Sequence, residues 1–115
     1  MTIKVIAASI VEMIVRGGPP GEAHVGRAVS SDISPSMGAG FAEFNRCSIV
    51  WTVLYDEIVY VIDGVFIVKT NSQTYTAQKG EVMWIPKGTE LSYQGEEARI
   101  FYVVYPGNWK EPSAP

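Results

Sequence analysis

The sequence predicts an all-β fold, a small sandwich or barrel built as one domain. Three observations carry that expectation. Short runs rich in Val, Ile, Tyr, Phe and Trp recur along the chain, Gly- and Pro-containing turn signals separate them, and one stretch alone, residues 3–15, offers a helical period. The 115 residues suit a single domain, within the usual span of roughly 50–250.

The candidate strands run over residues 48–54, 58–62, 65–70, 74–77, 82–85, 91–93 and 99–105. Their β-branched and aromatic side chains suit a pleated, half-buried surface. The breaks hold Gly64, Asn71-Ser72, Lys79-Gly80, Pro86-Lys87-Gly88, Gln94-Gly95 and Pro106-Gly107. Glycine supplies positive φ in such turns and proline presets φ. Upstream, turn signals stand at residues 17–21, at Ser34-Pro35 and at Gly38. Residues 3–15 carry two periods: Ile10, Met13 and Ile14 fit a helix, while Ile3, Val5 and Ala7 fit a strand. Residues 1–33 therefore read as an N-terminal arm with the first strands. Residues 34–109 form the core, and 110–115 a tail anchored by Trp109.

Composition excludes several function classes. Nine Lys and Arg against twelve Asp and Glu give a net charge of −3, with no basic stripe to neutralise nucleic-acid phosphates. With 47% hydrophobic residues the chain can bury a core rather than stay disordered. One cysteine, Cys47, excludes an internal disulfide framework and reads as a small buried hydrophobe. One histidine, His24, excludes every motif that needs two. The apolar run at 5–15 is interrupted by Glu12, has no cleavage site and is too short to span a bilayer, which takes about 20 apolar residues. A cytoplasmic protein without membrane partners is expected.

Two stretches narrow the fold. Glu57-Ile-Val-Tyr60-Val61-Ile-Asp63-Gly64 precedes a strand, and sixteen residues after Gly64 comes Gly80-Glu-Val-Met-Trp-Ile-Pro86-Lys-Gly88. The pair resembles the two motifs of the cupin family, HxHx₃ExxYVxxG and Gx₅PxGxxH. The resemblance implies a small antiparallel jelly-roll barrel with a lumen open at one end. The usual cupin metal site of three histidines and a glutamate is not preserved. The motif-one histidine positions hold Trp51 and Val53, and the motif-two position holds Leu91. None offers a lone pair suited to Fe, Mn, Ni or Zn. The remaining donors, Glu57, Glu43 and His24, share no ligand spacing, so no metal and no cofactor are expected.

The substitutions form a pattern of their own. Trp51-Thr-Val-Leu-Tyr55-Asp56-Glu57, the upstream Ser34-Pro35 and Ala39-Gly40-Phe41, the Ile85-Pro86-Lys87-Gly88 turn, and the ending Phe101-Tyr102-Val103 … Tyr105-Pro106 … Asn108-Trp109 resemble the EutQ-type cupins, named for an ethanolamine-utilisation protein. The ethanolamine protein carries an extra N-terminal region, and this chain is expected to be a stand-alone version. Acetate kinase activity is attached to that protein. No phosphate-cradling glycine loop stands in this sequence, so that activity is not carried over.

Strand alternation then fills the lumen. With the motif glutamate inward, as in cupins, Glu57, Val59 and Val61 share the inner face. The motif positions add Trp51, Val53, Tyr55, Leu91 and Tyr93. On the last strand Arg99 faces water, so Ile100, Tyr102 and Val104 face inward. Glu43 alternates with Phe41, and its direction is open. Glu57 and Tyr55 are the candidate acid–base residues. Glu43, Trp51, Val53, Leu91, Tyr93 and Tyr102 are the candidate ligand contacts. Each has a structural reading too. Glu57 can sit solvated at the mouth or pair with Lys87 or Arg99. Tyr93, Tyr102, Trp51 and Trp84 can be core or wall, and Asp56 a turn residue. Tyr60 lies on the opposite face from Glu57.

An apolar cavity with a few convergent polar groups is the ordinary form of a small-molecule site. The expected function is binding of a small polar metabolite in the lumen, with metal-independent acid–base chemistry as an isomerase, dehydratase, lyase or hydrolase. The alternatives are a ligand-binding module without turnover and an oligomeric accessory protein. A homodimer is expected under all three, because Val- and Ile-rich strands leave apolar surface to cover.

Overall fold

Two long strands organise the molecule. A computed structural model describes residues 2–109 and assigns β1 (Ile14–Gly17), β2 (Glu22–Val29), β3 (Gly38–Asn45), β4 (Ile49–Thr52), β5 (Asp56–Lys69), β6 (Thr74–Gln78), β7 (Val82–Ile85) and β8 (Glu90–Tyr105). All pairings are antiparallel, in the order β1-β2-β3-β8-β5-β6, with β4 added to β8 and β7 to β5. The expected 110–115 tail lies outside the described residues.

β5 and β8 each serve two layers. The first half of β5 pairs with β7 and with the end of β8, and that end of β8 also pairs with β3. The second half of β5 pairs with β6 and with the start of β8, which also pairs with β4. The two halves of each strand thus belong to two packed layers, as in a jelly roll. The expected breaks at Gly64 and Gln94-Gly95 lie inside these strands instead. At Gly64 the ladder bends without ending, and Gly95 pairs in register with Phe66. Gly64 sits at φ 71°, beside register shifts at Asp63, opposite Glu97 at φ 47°. The Asp63 carboxylate accepts the Gly64 N–H at 3.0 Å and fixes the bend.

Residues 3–15 form neither a helix nor one strand. A single 3₁₀ turn at Ala8–Ile10 precedes β1. Ile3, Val5 and Ile10 are 94%, 95% and 75% exposed, so the stretch gains no tertiary packing to support a helix. Among the described residues no helix is long and apolar enough to cross a membrane.

The core lies between the layers, with Phe66, Ile100, Val53, Val59 and Val61 its largest fully buried side chains. The turn after β7 is tied to this core. Asp56 accepts the Lys87 N–H at 2.9 Å, and the Val53 carbonyl accepts the Gly88 N–H at 2.8 Å. Trp84, expected as core or wall, is exposed, because it alternates with buried Ile85. It pairs with Ile58, and Val82 pairs with Tyr60, giving an exposed apolar strip on the outer face. The expected homodimer would have that strip to cover.

Gly64 generates a stability prediction. A Cβ there would lie 2.0 Å from the Glu97 carbonyl oxygen, whereas one at Gly80 would meet nothing within 4 Å. Both have positive φ. In urea unfolding, Gly64→Ala is expected to cost about 2–4 kcal/mol and Gly80→Ala about 1 kcal/mol, backbone strain alone. Equal losses would refute the backbone contact as the cause.

Candidate active site

Inside the two layers lies a cavity of about 540 Å³, open to solvent. Its deepest polar group is Glu57, 6% exposed near the start of β5. The Tyr93 hydroxyl, from the start of β8, donates to Glu57 Oε1 at 2.7 Å. Glu57 and Tyr93 belong to opposite layers, so this bond crosses the interior. Nearer the mouth, the Trp51 indole N–H on β4 donates to the Tyr55 hydroxyl at 3.2 Å. The Tyr55 and Tyr93 hydroxyls each shift the other's protonation. Two polar pairs, Trp51 with Tyr55 and Tyr93 with Glu57, therefore line one cavity. Tyr102 on β8 faces the same space. It has room because its partner across the ladder is Gly40, where a Cβ would approach the Tyr102 hydroxyl to 2.7 Å.

The electrostatics follow from burial. Desolvation pushes the Glu57 carboxyl up to about 7, and the Tyr93 hydrogen bond pulls it partway back. Burial, then the Glu57 charge, drive Tyr93 well above the ordinary phenol range, so it stays a neutral donor. Burial pushes Tyr102 up to about 12, against the opposing charge of Arg27. Tyr55 is raised by burial and then by Glu57, and lowered by its hydrogen bonds and by Arg27.

The cavity brings together Glu57, Tyr55, Trp51, Tyr93 and Tyr102, but not the other candidate residues. Val53 is fully buried beyond the end of β4, where its N–H and C=O are both held by the 86–89 turn. Leu91 pairs directly with Trp51 and packs in the core, and Trp51 is the member of the pair that reaches the cavity. Glu43 alternates with buried Ala42 and Phe44, so it points outward, where it meets Arg99 at 3.9 Å. Neither Arg99 nor Lys87 forms an ion pair with Glu57, and it is not at a solvated mouth. The direct partner of Glu57 is Tyr93 rather than Tyr55.

Arg16 and Arg27 lie outside the motifs, and Trp109, expected to anchor the tail, joins them in the cavity wall. Arg16 on β1 and Arg27 on β2 project into the mouth, with Trp109 beside them. Trp109 packs on Tyr55 at 5.2 Å and on Trp51 at 5.7 Å between ring centres, and Arg27 lies 5.8 Å over its ring. Period two puts Val25 and Arg27 on one face of β2, but β2 shifts register after Arg27 and β1 shifts register at Arg16, so alternation alone does not bring the two arginines together.

Comparison with known proteins now has a site to attach to. The family model for the ethanolamine utilisation protein EutQ matches residues 1–111. The chain belongs to the EutQ family. It is 34% identical over 94 residues to the acetate kinase EutQ of Clostridioides difficile strain 630, an alignment covering 81% of this chain and 60% of that protein. The chain thus spans less than two thirds of that curated EutQ relative. The solved structure of the Clostridium difficile EutQ protein superposes with a TM-score of 0.75 at 33% identity, covering 80% of this chain and 68% of that one. The polyketide cyclase RemF of Streptomyces resistomycificus shares the cupin fold alone, with a TM-score of 0.76 at 16% identity over 90% of this chain and 80% of that one.

The cupin metal site does not fit this member of the EutQ family. Trp51, Val53 and Leu91 supply no ligand pair, and among the described residues no three His, Cys, Asp or Glu side chains gather as a ligand set.

The buried carboxyl has a thermodynamic signature. Folding raises Glu57 from 4.5 to about 7, so the native state holds its proton more tightly than the unfolded chain does. The associated stability is fully present below pH 4.5 and is lost as pH rises through about 7, by about 3 kcal/mol in all. Glu57→Gln keeps an oxygen to accept from Tyr93 and has no charge to bury. Urea melts from pH 4.5 to 8.5 should show the variant gaining on the parent as pH rises. Parallel pH profiles would mean that Glu57 is not desolvated.

Proposed function

We propose that this EutQ-family cupin binds a small polar metabolite in its lumen and moves protons on it without a metal, Glu57 acting as the acid–base group. The single observation that carries this reading is the buried Glu57 carboxyl, held by Tyr93 at 2.7 Å and shifted to about 7, on a cavity of about 540 Å³. A carboxyl that titrates near neutrality can both take and give a proton at working pH, where an ordinary solvated glutamate is almost wholly ionised. Tyr93 steadies the ionised form and does not itself titrate. Tyr55, on the same cavity, would hold or pass a proton at the ligand's other side. Trp51 fixes the Tyr55 hydroxyl from behind.

The reaction classes that suit such a group are proton transfers next to a carbonyl, as in isomerases and lyases, and eliminations of water. The acetate kinase named for the C. difficile relative belongs to a longer protein. With no glycine-rich phosphate loop in this sequence, the proposal does not extend to phosphoryl transfer. Binding without turnover is the second reading, favoured by the mostly apolar walls that Trp51, Ile100, Val104 and Trp109 supply.

Hydrogen exchange separates the two. The protein is incubated in D₂O with a bacterial small-molecule extract, and metabolite masses are followed. A proton-transfer enzyme washes deuterium into a C–H bond, or makes a product, at a rate that rises with pH through about 7 as Glu57 becomes a base. Glu57→Gln should lower that rate at least ~100-fold, in the range of general-base losses. A metabolite retained through gel filtration without label or product would support the binding module instead. Equal labelling by parent and variant would remove Glu57 from the chemistry.

A further inference from the structure

The mouth of the cavity carries charge that proton transfer does not use. Arg16 and Arg27 come from neighbouring antiparallel strands and project into the same cavity as Glu57. Neither forms an ion pair within the described residues, where His24, Arg46 and Arg99 each have a carboxylate. Glu12 also lines the mouth, so the rim keeps a net positive charge in a chain whose overall charge is −3. Both guanidiniums stand close enough to oppose the ionisation shift of Tyr102, and Arg27 acts on Tyr55 as well. Between rim and floor the walls are aromatic: Trp109, Trp51, Tyr55 and Tyr102.

We infer that Arg16 and Arg27 form an oxyanion-binding end of the lumen, so that the ligand is an amphipathic organic anion. Its carboxylate or phosphate sits between the two guanidiniums, its apolar body lies against Trp109 and Trp51, and its far end reaches Glu57. Guanidinium groups hold carboxylates and phosphates through paired N–H donors. Arg27 lies over the Trp109 ring, and Arg16 beside the same cavity adds a second guanidinium; an anion oriented along the cavity would use both. The inference rests on the lumen being a ligand site and adds the chemical class of what enters.

The three tryptophans supply the readout. Trp51 and Trp109 line the cavity, and Trp84 lies on the outer face as an internal control. Benzoate, phenyl phosphate and neutral benzamide are titrated into ¹⁵N-labelled protein, following the indole N–H signals. Benzoate or phenyl phosphate should move the Trp51 and Trp109 signals saturably, leave Trp84 in place, and bind at least ~10-fold more tightly than benzamide. Whichever binds more tightly identifies the source of the oxyanion. The R16Q/R27Q double variant should bring the anions down to the affinity of benzamide, itself unchanged. Benzamide that binds as well as the anions, or anion binding unaltered in the double variant, overturns the inference while leaving the lumen site intact. If no probe moves the cavity indoles, the lumen reading falls with it.

Discussion

A single hydrogen bond inside the barrel sets the terms for the rest of the site. Glu57 is buried where an unpartnered carboxylate would be costly, and the Tyr93 hydroxyl reaches it at 2.7 Å from the other layer. The bond has two effects. It joins the two halves of the jelly roll through their interior, and it partly restores the solvation that burial removed. The offset is incomplete, since the carboxyl still rests at about 7. A stronger donor set, such as two backbone N–H groups, would pull the acid back towards an ordinary carboxylate. No donor at all would leave it raised further, towards the neutral form. One neutral phenol, itself unable to titrate, leaves the acid balanced between its two forms.

The loss of the imidazole cage makes this balance possible. A divalent metal beside Glu57 would hold it as a carboxylate ligand, with no proton to exchange. Trp51, at one vacated ligand position, takes a different part: its indole N–H fixes Tyr55, and its ring forms a wall with Trp109. The other two positions go to the core. Val53 and Leu91 pack out of reach of the cavity. What served three ligands in the cupin pattern therefore divides here into one polar positioning group and two hydrophobic fillers.

How much of this the sequence disclosed depended on where the motifs lay. From Trp51 onward, motif spacing and strand alternation placed Glu57, Tyr55, Trp51, Tyr93 and Tyr102 around one space, because cupin register fixes which face each strand presents. Alternation also sent Tyr60 outward and Ile100 and Val104 inward. It failed where a neighbour had to be known. Val53 alternates correctly but lies past the last ladder pair of β4, under the turn. Glu43 needed the direction of β3, which only the buried Ala42 and Phe44 settle. The N-terminal strands were illegible for another reason. Gly17 to Gly21 reads as an end, and the exposed Ile3 to Ile10 stretch obscures the short β1 behind it, so no shared site for Arg16 and Arg27 is legible in the sequence. Glycine likewise signals turns at 64 and 95 where the strand continues: at Gly64 positive φ serves a bulge as well as a turn, and Gly95 pairs in register with Phe66.

The positions of the arginines and of the acid constrain each other. Burial and the Tyr93 hydrogen bond are what set Glu57, and neither guanidinium contributes. Their influence stops at Tyr102 and Tyr55. A guanidinium beside Glu57 would favour its ionised form strongly in so dry a space and hold it as a permanent carboxylate, ending its use in proton exchange. Arginines at the rim avoid this. They remain within reach of an incoming anion, and their charge reaches the tyrosines without shifting the acid. On the proposed function, charge recognition and proton transfer would occupy different parts of one cavity, and a ligand long enough to touch both would be oriented before its reactive end meets Glu57. A compact site with every polar group at the floor would give up either the tunable acid or the handle on the anion.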